Sequence, residues 1–153
     1  MEKVRISFAE APKGLYSAMQ NTEKYLHGCG LESSLIELVK IRASQINRCG
    51  FCLDMHHKDA LKAGERFDRL YLLPAWEEAP CFSEEEKAAL KLTEVLTAIS
   101  AHSPHEIEEA YNYAARHFSK EEIANLVLLV CQINSWNRIA ITFGNIPGSY
   151  QPK

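Results

Sequence analysis

The chain has 153 residues, 46% of them hydrophobic, and a formal net charge of −3 from 17 Lys and Arg against 20 Asp and Glu. That length suits one domain, residues 1–153, with a self-sufficient core, and the acidic balance leaves no cationic surplus for nucleic acid or an anionic membrane surface. The opening Met1-Glu2-Lys3-Val4-Arg5 carries no apolar secretion segment, and the longest purely apolar run, Leu126 to Cys131, is too short to span a bilayer. A cytoplasmic protein with no membrane partner is expected.

Residues 1 to 13 read as an irregular arm. A first helix is predicted from about Lys13 to His27, ended by Gly28-Cys29-Gly30. A second begins near Glu32-Ser33-Ser34 and runs to about Asn47. Its Leu35, Ile36, Val39, Ala43 and Ile46 recur at helical spacing as one buried stripe. A third begins around Cys49 and Cys52 and ends at Gly64. A short helix or turn covers Glu65 to Leu73, and the segment from Pro74 to Pro80 interrupts regular structure. Capping boxes follow at Ser83 with Glu86, Ser103 with Glu106, and Ser119 with Glu122. The first opens a helix to about Ile99, the second places Pro104 at its first position, and the third opens a helix to Phe143 that Gly144 stops. No alternating strand pattern of useful length occurs. The expected fold is all-α, a compact domain of six or seven helices.

Gln45-Ile46-Asn47 recurs as Gln132-Ile133-Asn134, an offset of 87 residues. On that offset Trp136 corresponds to Cys49 and Phe143 to His56. A decayed repeat and a coincidence between two amphipathic helices both stay open.

The five cysteines, Cys29, Cys49, Cys52, Cys81 and Cys131, are an odd number and argue against a secreted disulfide scaffold. In a reducing compartment a retained pair points to catalysis or metal binding. Cys131 lies in an apolar helical run and is expected as a small core residue. Cys29 and Cys81 lie in turn-like sequence.

On one helix, Cys49, Cys52 and His56 share a face. Cys49 falls at or just before the first turn, where unpaired N–H groups and the helix dipole lower a thiol's pKa. His56 offers a proton acceptor one turn beyond Cys52. Gly50 leaves room for a second sulfur or a substrate, while Phe51 and Leu53 pack or line an apolar entrance. Redox chemistry, zinc and inert packing can all use such residues. Zinc is disfavoured because no fourth ligand is local, and His57 lies about 100° round the helix from His56. His57 is expected to face solvent or bond at the core edge. Trp76 is expected as a pocket wall, subunit contact or packing residue, and Trp136, Tyr111 and Tyr113 as packing. Asn47 and Asn134 satisfy buried backbone or each other.

The spacing of Glu37, Cys49, Cys52 and His56 (glutamate, eleven residues, Cys-x-x-Cys, three residues, histidine) resembles the motif of the alkyl hydroperoxidase D and carboxymuconolactone decarboxylase superfamily. The segment Leu72 to Pro80 is similar to its single-domain peroxidase-related members, and the resemblance runs from roughly Leu31 to Phe143. It implies an all-helical, oligomeric alkyl hydroperoxidase D-like fold and thiol-dependent reduction of hydroperoxides. By this resemblance Cys52 meets the peroxide, Cys49 resolves the sulfenic acid as a disulfide, and Glu37 and His56 relay protons. It implies no cofactor and no metal. The implied partners are a small hydroperoxide, a dithiol reductant protein or small thiol, and further copies of the chain. Phe51 departs from members that carry a histidine at that place. The dipole argument favours Cys49 as the low-pKa thiol and the histidine argument favours Cys52, so the order of attack stays open. Competing readings are a disulfide reductase or redox adaptor, a zinc-stabilised helical protein, and a decarboxylase-like enzyme with no need of paired thiols.

Overall fold

A computed structural model describes residues 4–152. Among them are seven α-helices and no β-strand: α1 (Lys13–His27), α2 (Ser33–Ile46), α3 (Gly50–Lys62), α4 (Phe67–Leu72), α5 (Glu84–Thr97), α6 (Pro104–Ala114) and α7 (Lys120–Phe143). Short 3-10 turns cover Leu73–Ala75 and Ile99–Ala101. The expected arm is irregular from Val4 onward; Met1, Glu2 and Lys3 lie outside the described residues. Arg5 ties it to the end of α7, its backbone N–H donating to Phe143 O at 2.8 Å and its guanidinium to Thr142 O at 2.7 Å.

Local sequence sets most helix ends. At Ser83, Ser103 and Ser119 the hydroxyl accepts the backbone N–H of the glutamate three residues on, and that carboxylate accepts the serine's N–H. Each box satisfies two donors a helix start would leave unpaired, a cap of about 1 kcal/mol. Gly64 and Gly144 close α3 and α7 with φ of +97° and +78°, a backbone region that costs glycine little.

α2 is the axis of the structure, packing against α3, α5 and α7. Its Ile36 and Val39 enter one core with Leu92 and Val95 of α5 and Leu126 and Leu129 of α7. Its Leu38 and Ile41 enter a second with Leu70, Leu73, Trp76 and Leu90. Burial on two sides explains why this helix is apolar over more than one stripe. A third, small cluster joins Cys49, Cys52 and Phe51 to Ala140 of α7. α7 is long and apolar enough to cross a membrane by length and composition alone. Here it packs against α1, α2, α3 and α5.

Two expectations about packing change, and one open choice is decided. Cys131 is exposed, not a core residue. Leu126, Leu129, Val130 and Ile133 carry the inward stripe of α7, and Cys131 falls one residue past it. Tyr111 is 42% exposed, because α6 turns only Ala110 and Ala114 fully inward. Of the readings open for Trp76 the structure takes packing: it is 4% exposed, lies in the second core, and donates its indole N–H to Glu94 at 2.7 Å.

Candidate active site

The site begins where α2 stops. Cys49 N–H donates to Ser44 O at 3.0 Å and Arg48 N–H to Gln45 O at 3.2 Å, the paired bonds of a Schellman ending. Arg48 occupies the left-handed position with φ +57°, where glycine is usual, at a strain of roughly 1–2 kcal/mol. This turn redirects the chain so that Cys49 becomes the N-cap of α3. Its sulfur accepts the backbone N–H of Cys52 at 3.4 Å. Both thiols are buried, Cys49 at 1% and Cys52 at 2% exposure, and both are free.

The environment separates the two sulfurs electrostatically. A hydrogen bond from the Cys52 thiol lowers the pKa of Cys49. Burial raises it, and the backbone N–H groups of Cys52 and Phe51 with the Asn137 side chain lower it further, to about 7. Cys52 moves the other way, raised by its hydrogen bond to Cys49, by burial and by the Cys49 charge. The pair gives up its first proton readily, and the charge rests on Cys49 in the ground state.

Asn137 holds its place through a buried network. Its amide oxygen accepts from Asn47 at 2.9 Å and its NH2 donates to Ser44 Oγ at 2.9 Å. Asn47 also donates to Asn134 at 3.0 Å, so the two asparagines related by the 87-residue offset satisfy each other. The fixed oxygen leaves Asn137 N–H as the group to face a thiolate.

Glu37 points inward. Its Oε2 lies 2.9 Å from His56 Nδ1, and the side chains are 14% and 7% exposed. A carboxylate only accepts, so Nδ1 carries the proton and Nε2 is the ring nitrogen left free to take one up. The structure thus pairs Cys49 with Cys52 and Glu37 with His56, and α3 sets His56 one turn beyond Cys52. His57 stands apart, its Nδ1 2.8 Å from Leu53 O at the core edge. Among the described residues no group of three or more His, Cys, Asp or Glu is placed to hold a metal ion.

Several residues unassigned from sequence also border the site. Lys40, 3% exposed, pairs with Glu23 at 2.7 Å, and Trp136 donates to the same carboxylate at 2.9 Å. Burial pushes Glu23 up, but the Lys40 ammonium and the Trp136 N–H outweigh it and hold Glu23 below the usual carboxylate value. The readable signal was spacing: Glu37, Lys40 and Ser44 recur at i, i+3 and i+7, a polar stripe through an apolar helix.

Two cavities meet at Met55 and Trp136. One of about 830 Å³ is bordered by the charged and polar side chains of Glu37, His56, Lys40 and Glu23. An apolar one of about 610 Å³ is lined by Cys52, Phe51, Phe8, Tyr16 and Ile146. Phe51 therefore lines an apolar entrance, while Leu53 packs on the second core. Trp136, expected as packing, is the wall between the cavities.

The space expected over Gly50 is taken by the chain's own tail. A Cβ at Gly50 would lie 3.0 Å from Pro147 Cγ. Beyond it Gly148 N–H donates to Asp54 at 3.0 Å, Lys58 to Tyr150 O at 2.9 Å, and the Tyr150 hydroxyl to Asp59 at 2.8 Å. The tail straps α3 along its length.

An all-helical domain that buries a Cys-x-x-Cys pair at a helix N-cap beside a glutamate–histidine pair defines an alkyl hydroperoxidase D-like protein. The model of the carboxymuconolactone decarboxylase family matches residues 13–95. The chain belongs to that family. It is 46% identical over 142 residues to the uncharacterized protein YdfG of Bacillus subtilis, covering 92% of this chain and 95% of that one. It matches, at a TM-score of 0.89 and 35% identity, a crystal structure from Agrobacterium tumefaciens, covering 97% of this chain and 100% of that one. That protein is of unknown function, with a suggested role in antioxidant defence of the AhpD kind. The debrominase Bmp8 shares the fold at a TM-score of 0.80 and 16% identity, over 89% of this chain and 72% of that one.

Proposed function

We propose that this chain is a thiol-dependent hydroperoxidase that cycles Cys49 and Cys52 between dithiol and disulfide. The observation that carries the reading is a buried thiol pair with one readily ionised member, set one turn from a Glu37–His56 hydrogen bond of 2.9 Å.

Cys52 is the attacking sulfur, because it is the thiol that lines the apolar cavity. Its proton passes along the shared hydrogen bond to Cys49. The Cys52 thiolate attacks the terminal peroxide oxygen; an S–O bond forms and the O–O bond breaks. Sulfur is oxidised by two electrons and the peroxide is reduced. The alkoxide leaves with the proton that Cys49 gave up to His56 on ionising, held until then as an imidazolium that the Glu37 carboxylate stabilises. Cys49 returns its proton to the relay and attacks the sulfenic sulfur. The S–S bond forms, the S–O bond breaks, and hydroxide leaves as water with that proton. An external dithiol, protein or small molecule, then restores two electrons and two protons by exchange. Protons reach the relay from the cavity that Glu37 and His56 line, while the peroxide enters from the one that Cys52 lines.

The reading includes a reducing, cytoplasmic setting and assembly with further copies of the chain. Exposed apolar residues on α4 support the second point: Phe67 and Tyr71 are 70% and 75% exposed and stack at 6.3 Å. Thiols at 1% and 2% exposure beneath a tail favour a small oxidant over direct exchange with a bulky protein disulfide. The shared fold of a debrominase leaves the oxidant to experiment. Cys49→Ser protein treated with hydroperoxide and dimedone should carry the adduct on Cys52. An adduct on Cys49 in Cys52→Ser protein, with none in the other variant, would reverse the order of attack. No adduct in either would remove the peroxidase reading.

A further inference from the structure

The apolar cavity is richer in rings than reduction of a small peroxide requires. Phe8 and Tyr16 pack with their rings tilted by 42° and centroids 4.4 Å apart, and Tyr16 stands 6.1 Å from Trp136. These three rings form a ladder on one wall, and Phe51 adds a fourth ring beside the sulfur of Cys52. The wall is assembled from distant parts of the chain: the N-terminal arm, α1, α3 and α7. Ile146 of the strap adds an apolar side. The volume, about 610 Å³, lies in the range that holds a small organic ligand. Phe8 is 70% exposed, so one face of the outermost ring is uncovered next to the mouth.

We infer that this cavity is a specificity site for an aryl group, and that the preferred oxidant is an aryl-substituted hydroperoxide. The inference rests on the hydroperoxidase reading and goes beyond it. Offset and tilted rings leave aromatic faces and edges to which a planar ring adds favourably, an attraction beyond simple area burial. With the ring against Phe8 and Tyr16, the peroxide oxygen is carried to the floor, where Cys52 attacks it. The S–O bond forms at the terminal oxygen, the O–O bond breaks, and the aryl alkoxide takes a proton and leaves as the alcohol.

A matched pair of oxidants tests this. Cumene hydroperoxide and tert-butyl hydroperoxide are both tertiary and differ by a phenyl in place of a methyl. Single-turnover thiol oxidation of the full chain should run about tenfold or more faster with the phenyl compound at equal low concentration. Phe8→Ala and Tyr16→Leu should each lower that rate ratio severalfold. A ratio near one, or a ratio that neither substitution moves, overturns the aryl site while leaving peroxidase chemistry intact. If neither hydroperoxide nor hydrogen peroxide oxidises the thiols, the hydroperoxidase reading falls instead. A separate binding measurement then judges the site. Cumyl alcohol, but not tert-butanol, should slow alkylation of Cys52 by iodoacetamide, and no protection by either would overturn it.

Discussion

Replacing Asn137 by Leu tests how the thiolate is held. The two side chains have similar volume, so the change removes hydrogen bonds rather than packing. Asn137 is fully buried, accepts from Asn47 at 2.9 Å and donates to Ser44 at 2.9 Å. Asn47 keeps its bond to Asn134, so little is lost there. The Ser44 hydroxyl, also fully buried, loses its donor, which costs about 1–3 kcal/mol. A hydrogen bond to a charged group contributes roughly 1.5–3 kcal/mol, equivalent to about one to two pH units of thiol ionisation. The Cys49 sulfur retains the N–H groups of Cys52 and Phe51, so the lower end applies. The expected variant is destabilised by roughly 2 kcal/mol in urea, with its thiol midpoint moved from about 7 to about 8. Urea unfolding gives the first number and ultraviolet thiolate absorbance against pH gives the second. A stability loss with the midpoint still near 7 would make Asn137 a brace only. An unchanged stability would remove the network from the account.

The carboxylate and the pH profile give further tests. Glu37→Gln preserves an acceptor for His56 Nδ1 but not the charge, and should slow thiol oxidation by roughly ten- to a hundredfold in single-turnover kinetics; an unchanged rate would exclude the relay role. The oxidation rate should rise with pH around a midpoint near 7, well below the ordinary thiol value of about 8.5. The same depressed pKa adds folding stability above the unfolded thiol value, and that contribution is lost as pH falls through about 7. The raised pKa of Cys52 acts oppositely, costing stability as pH climbs past the ordinary thiol range. Urea midpoints across that range should therefore pass through a maximum rather than rise throughout. Trp76→Phe, which strips the bond to Glu94 from a core position, should cost about 1–3 kcal/mol, whereas Tyr111→Ala should stay within about 0.5 kcal/mol on the exposed face of α6; equal effects would contradict the assigned burial.

The helices were legible because their ends carry local chemistry. Three serine–glutamate boxes and the glycines after α1, α3 and α7 act within a few residues, so no tertiary contact is needed to read them. The four motif residues were legible for a related reason: Cys49, Cys52 and His56 lie on one turn-and-helix unit, and Glu37 lies on the adjacent helix at a fixed interval. The break between them was harder to read. Arg48 takes a left-handed position that sequence usually marks with glycine, so the device that makes Cys49 an N-cap left no signal. Partners from distant segments were equally hidden. Glu23 meets Lys40 from α1, and Pro147 covers Gly50 from the far end of the chain; neither contact has a local period. Cys131 misled because an apolar run on a helix turns one of its residues outward whenever it exceeds the width of the buried stripe.

The central claim is that hydroperoxide oxidises this dithiol through the relay. One equivalent of cumene hydroperoxide should convert reduced protein to an intramolecular Cys49–Cys52 disulfide, followed by stopped-flow Trp136 fluorescence and intact mass. The account predicts rapid loss of both thiols with the mass of two hydrogens, slowed by roughly two to four orders in His56→Ala protein. Thiols that persist in the presence of peroxide, or a His56→Ala protein that is folded and oxidises at the same rate, would contradict it.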